Sequence, residues 1–340
     1  MNTFGKNLRL TTFGESHGLA LGAVIDGCPS KINLNEAEIQ QALNRRKPGQ
    51  SKITTQRKEK DQAQILSGVF AGKTLGTPIA VMVFNQDQKS KDYNDLKNLF
   101  RPGHADLAWQ SKFGFRDYRG GGRSSGRETI GRVIGGVVAQ KILPPETQVI
   151  AHTVQVNQIK ANNFNEAEIE NNLVRCADPQ AALKMEECIL KAMKQKESVG
   201  GKVQIEIFNC PKNLGEPVFS NLKAKLAQSL LSLGAVLSVE FGQAAEIIQM
   251  YGSQSNQNSF GISGGISTGE KITITCNIKP TPSIAKEQTM LSSDGSSKKF
   301  TIQGRHDPCI LPRIIPVLEA MIYLVLADLF LENNLQQINK

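Results

Sequence analysis

Three of the four histidines in this chain sit in short polar segments beside glycine, arginine and carboxylate. They are His17 in GESHG (14–18), His104 in RPGHAD (101–106) and His306 in GRHDPC (304–309). An imidazole changes charge near neutral pH, so such placements suit proton transfer or hydrogen bonding to an anion. His152 lies in an alternating apolar stretch, where a structural role suffices.

Arginine clusters beside glycine, and that pairing points to small anions with planar oxygen groups. The densest block is Arg119-Gly120-Gly121-Gly122-Arg123-Ser124-Ser125-Gly126-Arg127-Glu128-Thr129. It offers backbone N–H groups, two serine hydroxyls and three guanidinium groups at a helix start, where anions are favoured. Glu128 is placed to orient one of those arginines. Arg45, Arg46 and Lys52 form a second basic group around Pro48-Gly49. Arg101 adds a guanidinium beside His104, an arrangement suited to a departing phosphate: arginine neutralises the dianion while the imidazole donates a proton. The Gly/Ser run 260–269 suits close backbone approach to a large ligand, and Lys279-Pro280-Thr281-Pro282-Ser283 brings a cation and two hydroxyls.

Other chemistries fit less well. GESHG matches the G-x-S-x-G nucleophile elbow, but a strand instead of a helix follows it, so the required turn is absent. Gly121 and Gly126 have phosphate-loop spacing, yet Arg127-Glu128 replaces the needed Lys-Ser/Thr. His306 and Cys309 are three apart without further ligands in view, and Arg305 is a poor neighbour for a metal, so no metal site is expected. Asp307 is better placed as a base or as the orienter of one.

The elements that must hold these groups are legible in outline. Asn7–Phe13 and Leu19–Ile25 read as strands, and Asn35 caps a helix from Glu36 to Arg45 that Pro48-Gly49 stops. Gln64–Phe70 and Ile79–Phe84 are strand-like, and 85–98 reads as a solvated loop. Ile130–Leu143, with small residues at Gly135, Gly136 and Ala139, suits a tightly packed core helix. Val149–Ile159 and Gly201–Phe208 alternate as strands, with a charged, helical region at Asn163–Lys196 between them. Leu222–Leu233 reads as a helix, Gly234–Phe241 and Gly269–Ile278 as strands, and Lys279–Phe300 as irregular. Strand pairs alternate with helices without the rhythm of a parallel doubly wound sheet, which predicts an α+β fold. One integrated domain over 1–340 is preferred to a split near 150.

With 340 residues, 39% hydrophobic and 21% charged, the chain is long and apolar enough for a large core. Six cysteines without a CxxC pair, and a start with no leader pattern, predict a reducing, cytoplasmic setting. The net charge of +9 suggests nucleic acid at first sight, but the lysines are scattered and the arginines sit in Gly-rich loops, so no nucleic-acid partner is expected. The most apolar stretch, Ile314–Phe330, carries Glu319 and Asp328 and is read as a buried or interface helix; no membrane association is expected.

Taken in order, these segments closely resemble the chorismate synthase family: GESHG (14–18), RRKPG (45–49), TTQRKEKDQ (54–62), FRPGHAD (100–106), DYRGGGRSSGRET (117–129), GGIS (264–267), KPTPSI (279–284) and GRHDPC (304–309). The resemblance implies a β-α-β sandwich, with a helical layer between two antiparallel sheets, assembled as a homotetramer. It implies conversion of 5-enolpyruvylshikimate 3-phosphate to chorismate and phosphate by 1,4-anti-elimination, the last step of the shikimate pathway to the aromatic amino acids. Reduced FMN is required although no net redox change occurs. NADPH is expected, if it takes part, only as the source of reduced flavin, and an external flavin reductase is preferred to reduction by the chain itself, since no added reductase domain is visible.

Carried over by residue, His104 resembles the general acid, His17 the histidine beside the substrate phosphate, and Asp307 the carboxylate assisting deprotonation through flavin N5. Arg123, Ser124, Ser125, Gly234, Ala235, Gly264, Lys279, Pro280, Thr281, Pro282, Ser283 and Arg305 correspond to flavin-contacting positions. Arg46 and Lys52 correspond to nicotinamide-nucleotide positions or to holders of substrate carboxylates. Arg45, Arg101, Arg119 and Arg127 are the candidate substrate-binding arginines. Three departures stand out: Gly234 and Leu237 replace an amide and a lysine, Phe260 stands where glycine is usual, and Gly126 stands where alanine is. These changes are expected to weaken or re-angle flavin binding without abolishing it.

Overall fold

The computed structural model describes residues 2–55, 57, 59–86, 96–256, 259–302 and 306–336. Two five-stranded antiparallel sheets carry the architecture. The first runs Thr3–Phe4, Arg9–Phe13, Ala20–Asp26, Ile79–Phe84, Ala63–Ser67 in spatial order. The second runs Ile159–Lys160, Gln148–Val156, Gly201–Phe208, Ile272–Ile278, Val236–Phe241. Their inward faces bury alternating apolar residues such as Ala23, Ile25, Val81 and Val83 on one side and Val203, Ile205, Ile207 and Ile274 on the other.

The helices are α1 (Glu36–Arg46), α2 (Asp106–Phe113), α3 (Thr129–Gln140), α4 (Pro179–Lys194), α5 (Leu222–Leu231), the single turns α6 (Ala244–Ile247) and α7 (Gly252–Ser255), and α8 (Leu311–Gln336), and the layer between the sheets is built on α3 and α8. α3 lies on the first sheet, α8 on the second, and the two pack on each other. Glycine makes that layer thin. A Cβ at Gly131 would lie 2.7 Å from Thr12 Cγ2, and one at Gly136 would lie 2.4 Å from the Ala320 Cβ. One apolar core runs from Leu8 to Leu329 through both sheets. This is the α+β sandwich with a helical middle layer.

α8 is long and apolar enough to cross a membrane, yet 89% of its most apolar window is buried inside the protein. Its carboxylates are satisfied there. Asp328 accepts from the backbone N–H groups of Lys6, Asn7 and Leu8, and Glu319 from Arg45 and the Ala151 N–H. Pro316 removes the helical bond to the Pro312 carbonyl, and the Arg175 guanidinium donates to that carbonyl instead.

Two expectations need correction. Within 163–196 the helix is Pro179–Lys194, capped by the Asp178 side chain; before it the chain turns, because Asn165 and Asn172 side chains bond to nearby backbone and compete with helix. Lys279–Phe300 is not all irregular. Glu287–Ser292 and Ser297–Thr301 form a hairpin that also pairs with Leu99–Phe100, over a small core of Leu96, Leu99, Met290 and Ile302. Most of the 85–98 loop lies outside the described residues. Asn85 itself is anchored: it donates to the Gly18 carbonyl at 2.8 Å and accepts from Arg127 Nε at 2.5 Å.

Candidate active site

A cavity of about 770 Å³ opens where the first sheet, the 119–128 loop, the start of α8 and the 279–283 segment meet. Arg46, Arg57, Arg101, Arg123, Arg127, Arg132, Lys279 and Arg313 line it, against Glu128 and Asp307 as carboxylates. So large an excess of cations calls for a ligand with several negative charges. One wall is apolar, built from Leu10, Leu233, Ile310, Ile314, Val317 and Met321.

His104 and Arg101 are fixed through one carboxylate. Arg101 donates to Asp106 through Nε (2.7 Å) and Nη2 (2.8 Å), and His104 Nδ1 lies 3.0 Å from Asp106 Oδ1. With Nδ1–H given to the carboxylate, Nε2 is the atom left to take up or hand on a proton. Burial alone would raise the Asp106 carboxyl, but the hydrogen bonds from Arg101 and His104 outweigh it and hold the group well below the usual carboxylate range. It is an anion throughout the neutral range.

The triple glycine explains how both imidazoles reach the loop. Gly120 and Gly121 adopt φ of 61° and 82°. A Cβ at Gly120 would fall 2.4 Å from His17 Cδ2, and one at Gly121 would fall 2.7 Å from His104 Cε1 and 2.9 Å from Arg101 Nη2. The bare backbone is therefore a platform on which the two rings rest. His17 sits behind Gly120 and is not among the described residues that line the cavity. Its pKa is pushed down to about 4, first by burial and then by Arg57, with Asp117 opposing; the ring is neutral at pH 7.

At the floor of the cavity Arg46 and Arg127 are buried, and burial lowers both, Arg46 to about 9, which leaves Arg46 charged at pH 7. Asp61 lies 2.9 Å from Arg127 and 3.8 Å from Arg46, while Glu59 holds Arg57 at 2.6 Å. Arg123 donates to Thr12 Oγ1 (2.8 Å), and Glu128 pairs with Arg132 (3.0 Å) and more distantly with Arg123 (3.9 Å), the orienting role its position suggested. Asp307 accepts from the Thr55 N–H at 3.0 Å and from Arg313. Lys279 donates to the Gly103 carbonyl at 3.1 Å, which ties the 279–283 segment to the His104 turn.

Most sequence-derived candidates converge: His104, Asp307, Arg46, Arg101, Arg123, Ser124, Ser125, Arg127, Gly234, Ala235, Lys279, Thr281, Pro282 and Ser283 all line the cavity. Several do not. Arg45 is held between Glu170 (2.7 Å) and Glu319 (2.5 Å), tying α1 to α8. Lys52 pairs with Glu186 at 2.5 Å, and Arg119 turns outward onto Asp117 at 2.8 Å. Gly264 lies in the turn between Ile262–Ser263 and Ile266–Ser267, and Pro280 is likewise not a lining residue. Arg305 lies outside the described residues. His152 packs edge-on against Phe164 at 5.1 Å, away from the cavity, as a structural histidine.

The sequence reading missed Arg57, Arg132, Arg313 and Trp109 as lining residues. Arg57 stood within TTQRKEKDQ, and Asp106 within FRPGHAD; Arg313 and Arg132 are single arginines in helices and carried no local signal.

The fold and cavity define a class: an α+β sandwich enzyme that holds a polyanionic small molecule among arginines and imidazoles. The chorismate synthase family model matches residues 8–331. The chorismate synthase of Roseiflexus castenholzii is 46% identical over 100% of this chain and 99% of its own length. That of Synechocystis sp. is 47% identical, covering 96% of each chain, and that of Methanococcus vannielii 44%, covering 98% and 97%. A crystal structure of chorismate synthase superposes with a TM-score of 0.76 at 28% identity, over 97% of this chain and 93% of that one. The chain belongs to the chorismate synthase family. It is a lyase that converts 5-enolpyruvylshikimate 3-phosphate to chorismate in the shikimate pathway.

Proposed function

We propose that the cavity holds reduced FMN and 5-enolpyruvylshikimate 3-phosphate together, and that His104 and Asp307 divide the proton handling. The carrying observation is the combination of an apolar wall with a strongly cationic lining in one cavity. A flavin ring and its phosphate need both. The donor set fits: Thr281 Oγ1 is a buried hydroxyl without a partner among the described residues, on the same segment as Lys279 and Ser283.

When bound, reduced FMN supplies electron density to the allylic system as the substrate's C–O bond breaks. The protein's own groups do the rest. Arg101, immobilised by Asp106, neutralises the departing phosphate dianion, while the neutral His17 ring, packed behind Gly120, supports the loop from outside the cavity. His104 exchanges a proton through Nε2. Asp307, whose two oxygens are already anchored, keeps free lone pairs to receive the proton lost from the substrate ring. One proton and one phosphate leave, so no net oxidation occurs.

Nicotinamide nucleotide acts only upstream, as the reductant of a separate flavin reductase. A single catalytic domain over 1–340, working in the cytoplasm, accords with six free thiols, five of them buried. A homotetramer accords with large apolar side chains left exposed, among them Phe219, Ile248 and Tyr251. Trp109, the sole tryptophan, lines the cavity and reports on it directly. Titration with FMN is expected to quench its fluorescence, with tighter binding when the substrate is present. Fluorescence unmoved by FMN at saturation by equilibrium dialysis would place the flavin elsewhere.

A further inference from the structure

We propose that His306 is a substrate-binding residue of this site: an imidazole whose Nε2 hydrogen-bonds to the bound anion on the Arg101 side of the cavity. This deepens the proposed reading of the cavity and rests on it. The ring lines the same cavity as His104 and Arg101. Its Nε2 is shielded from water and has no hydrogen-bond partner among the described residues. A buried polar atom left in that state is costly, and cavity-lining groups of this kind are completed by the ligand.

The neighbouring groups do not satisfy it. Asp307, next in the chain, already takes the Thr55 N–H on one oxygen and Arg313 on the other. Arg101 is committed to Asp106 through Nε and Nη2, and His104 Nδ1 faces the same carboxylate. Burial, then Arg101, with Asp307 opposing, and then His104 bring the ring down to about 4, so it meets the ligand uncharged. The arginines supply charge to the anion; His306 supplies a directed hydrogen bond that does not titrate in the neutral range. Such a group fixes the ligand's position and does not carry the proton of the chemical step.

The test compares His306→Leu and His306→Gln with the unmodified enzyme. KM and kcat are measured with reduced FMN at pH 6.5 and pH 8, together with substrate affinity from Trp109 fluorescence. Loss of a hydrogen bond to a charged ligand predicts a rise in KM and Kd of about tenfold or more for His306→Leu, with kcat within about threefold. Glutamine, which presents a donor at the Nε2 position, is expected to restore both constants to within about threefold of the unmodified enzyme. The ratio between variants should be the same at both pH values, because the ring is neutral at each.

An unchanged KM in the leucine variant overturns the inference, and so does a glutamine variant as poor as leucine, which would mean the ring acts by its bulk. A fall in kcat at constant KM also overturns it, since that assigns His306 to the chemical step. The unmodified enzyme separates this claim from the one beneath it. If it forms no chorismate with reduced FMN, the cofactor assignment fails, while titration with substrate alone still reads the His306 contact.

Discussion

Gly121→Ala should disable this enzyme without unfolding it. The added Cβ would stand 2.7 Å from His104 Cε1 and 2.9 Å from Arg101 Nη2, where ordinary contact begins at 3.4 Å. Neither side chain can swing aside freely, because Asp106 holds both. Either the imidazole and guanidinium shift or the loop does, by roughly 0.5–1 Å, and misplacement of that size costs on the order of 10²-fold in rate. The left-handed φ of 82° adds about 1–2 kcal/mol of backbone strain for alanine. The same loop holds its own control. Gly126 has nothing within 4 Å of its Cβ position and an ordinary φ, so Gly126→Ala should leave kcat unchanged and stabilise by about 0.4–1 kcal/mol. Steady-state chorismate formation, with thermal melts of both variants, reads the outcome. A folded Gly121→Ala enzyme within twofold of the unmodified kcat would refute the platform role of the triple glycine.

Asp106→Asn removes the carboxylate behind His104 Nδ1 and should lower kcat by about 10²-fold or more, since proton transfer typically contributes about 10²–10⁴-fold; an unchanged pH–rate profile would count against it. His17, at about 4 in the folded chain against 6.5 ordinarily, makes the unfolded state bind more protons between those values. Stability should therefore be full above about pH 6.5 and fall by about 3 kcal/mol as the pH drops to 4. Urea midpoints should show a shallower acid slope in His17→Gln, and an identical slope would remove His17 as the cause. Gly234 lines the cavity with open space at its Cβ, whereas Leu237 is 63% exposed and not a lining residue. Gly234→Asn alone should tighten FMN binding severalfold, by roughly one added hydrogen bond, and Leu237→Lys should not; tighter binding from Leu237→Lys would reverse that assignment.

Local chemistry made much of this site readable in advance. Asn35 before Glu36 announced a capped helix, and the structure shows the full capping box with Glu38. The small residues at 135, 136 and 139 suited a tightly packed core helix, and in the structure Gly135 packs against Leu10 of the first sheet and Gly136 against Ala320 of α8. Arginine beside glycine marked the cationic cavity, because bare backbone at Gly120 and Gly121 makes room for the imidazoles and for Arg101. What stayed hidden depended on distant partners. Nothing local tells that Arg45 meets Glu319, 274 positions away, while Arg46 beside it turns into the cavity. Adjacent helical residues point in different directions, and only the packing of α1 on α8 decides which one faces the ligand. The 287–301 hairpin escaped because its strands are mostly polar, with Met290 buried between exposed neighbours.

Phe260 shows a departure from the family pattern with a visible cost. It adopts φ of 48°, a left-handed backbone that favours glycine, and its ring packs over Gly242, where a Cβ would fall 2.6 Å away. It lines a second cavity of about 520 Å³ and does not line the cationic one. The expectation that Phe260 re-angles the flavin therefore finds no support in its position.

The most direct test of the account is anaerobic turnover with 5-enolpyruvylshikimate 3-phosphate and chemically reduced FMN, following chorismate absorbance and phosphate release together. Equal amounts of both products are expected with reduced FMN and neither with oxidised FMN. Phosphate released without chorismate, or equal rates with either form of the flavin, would contradict it.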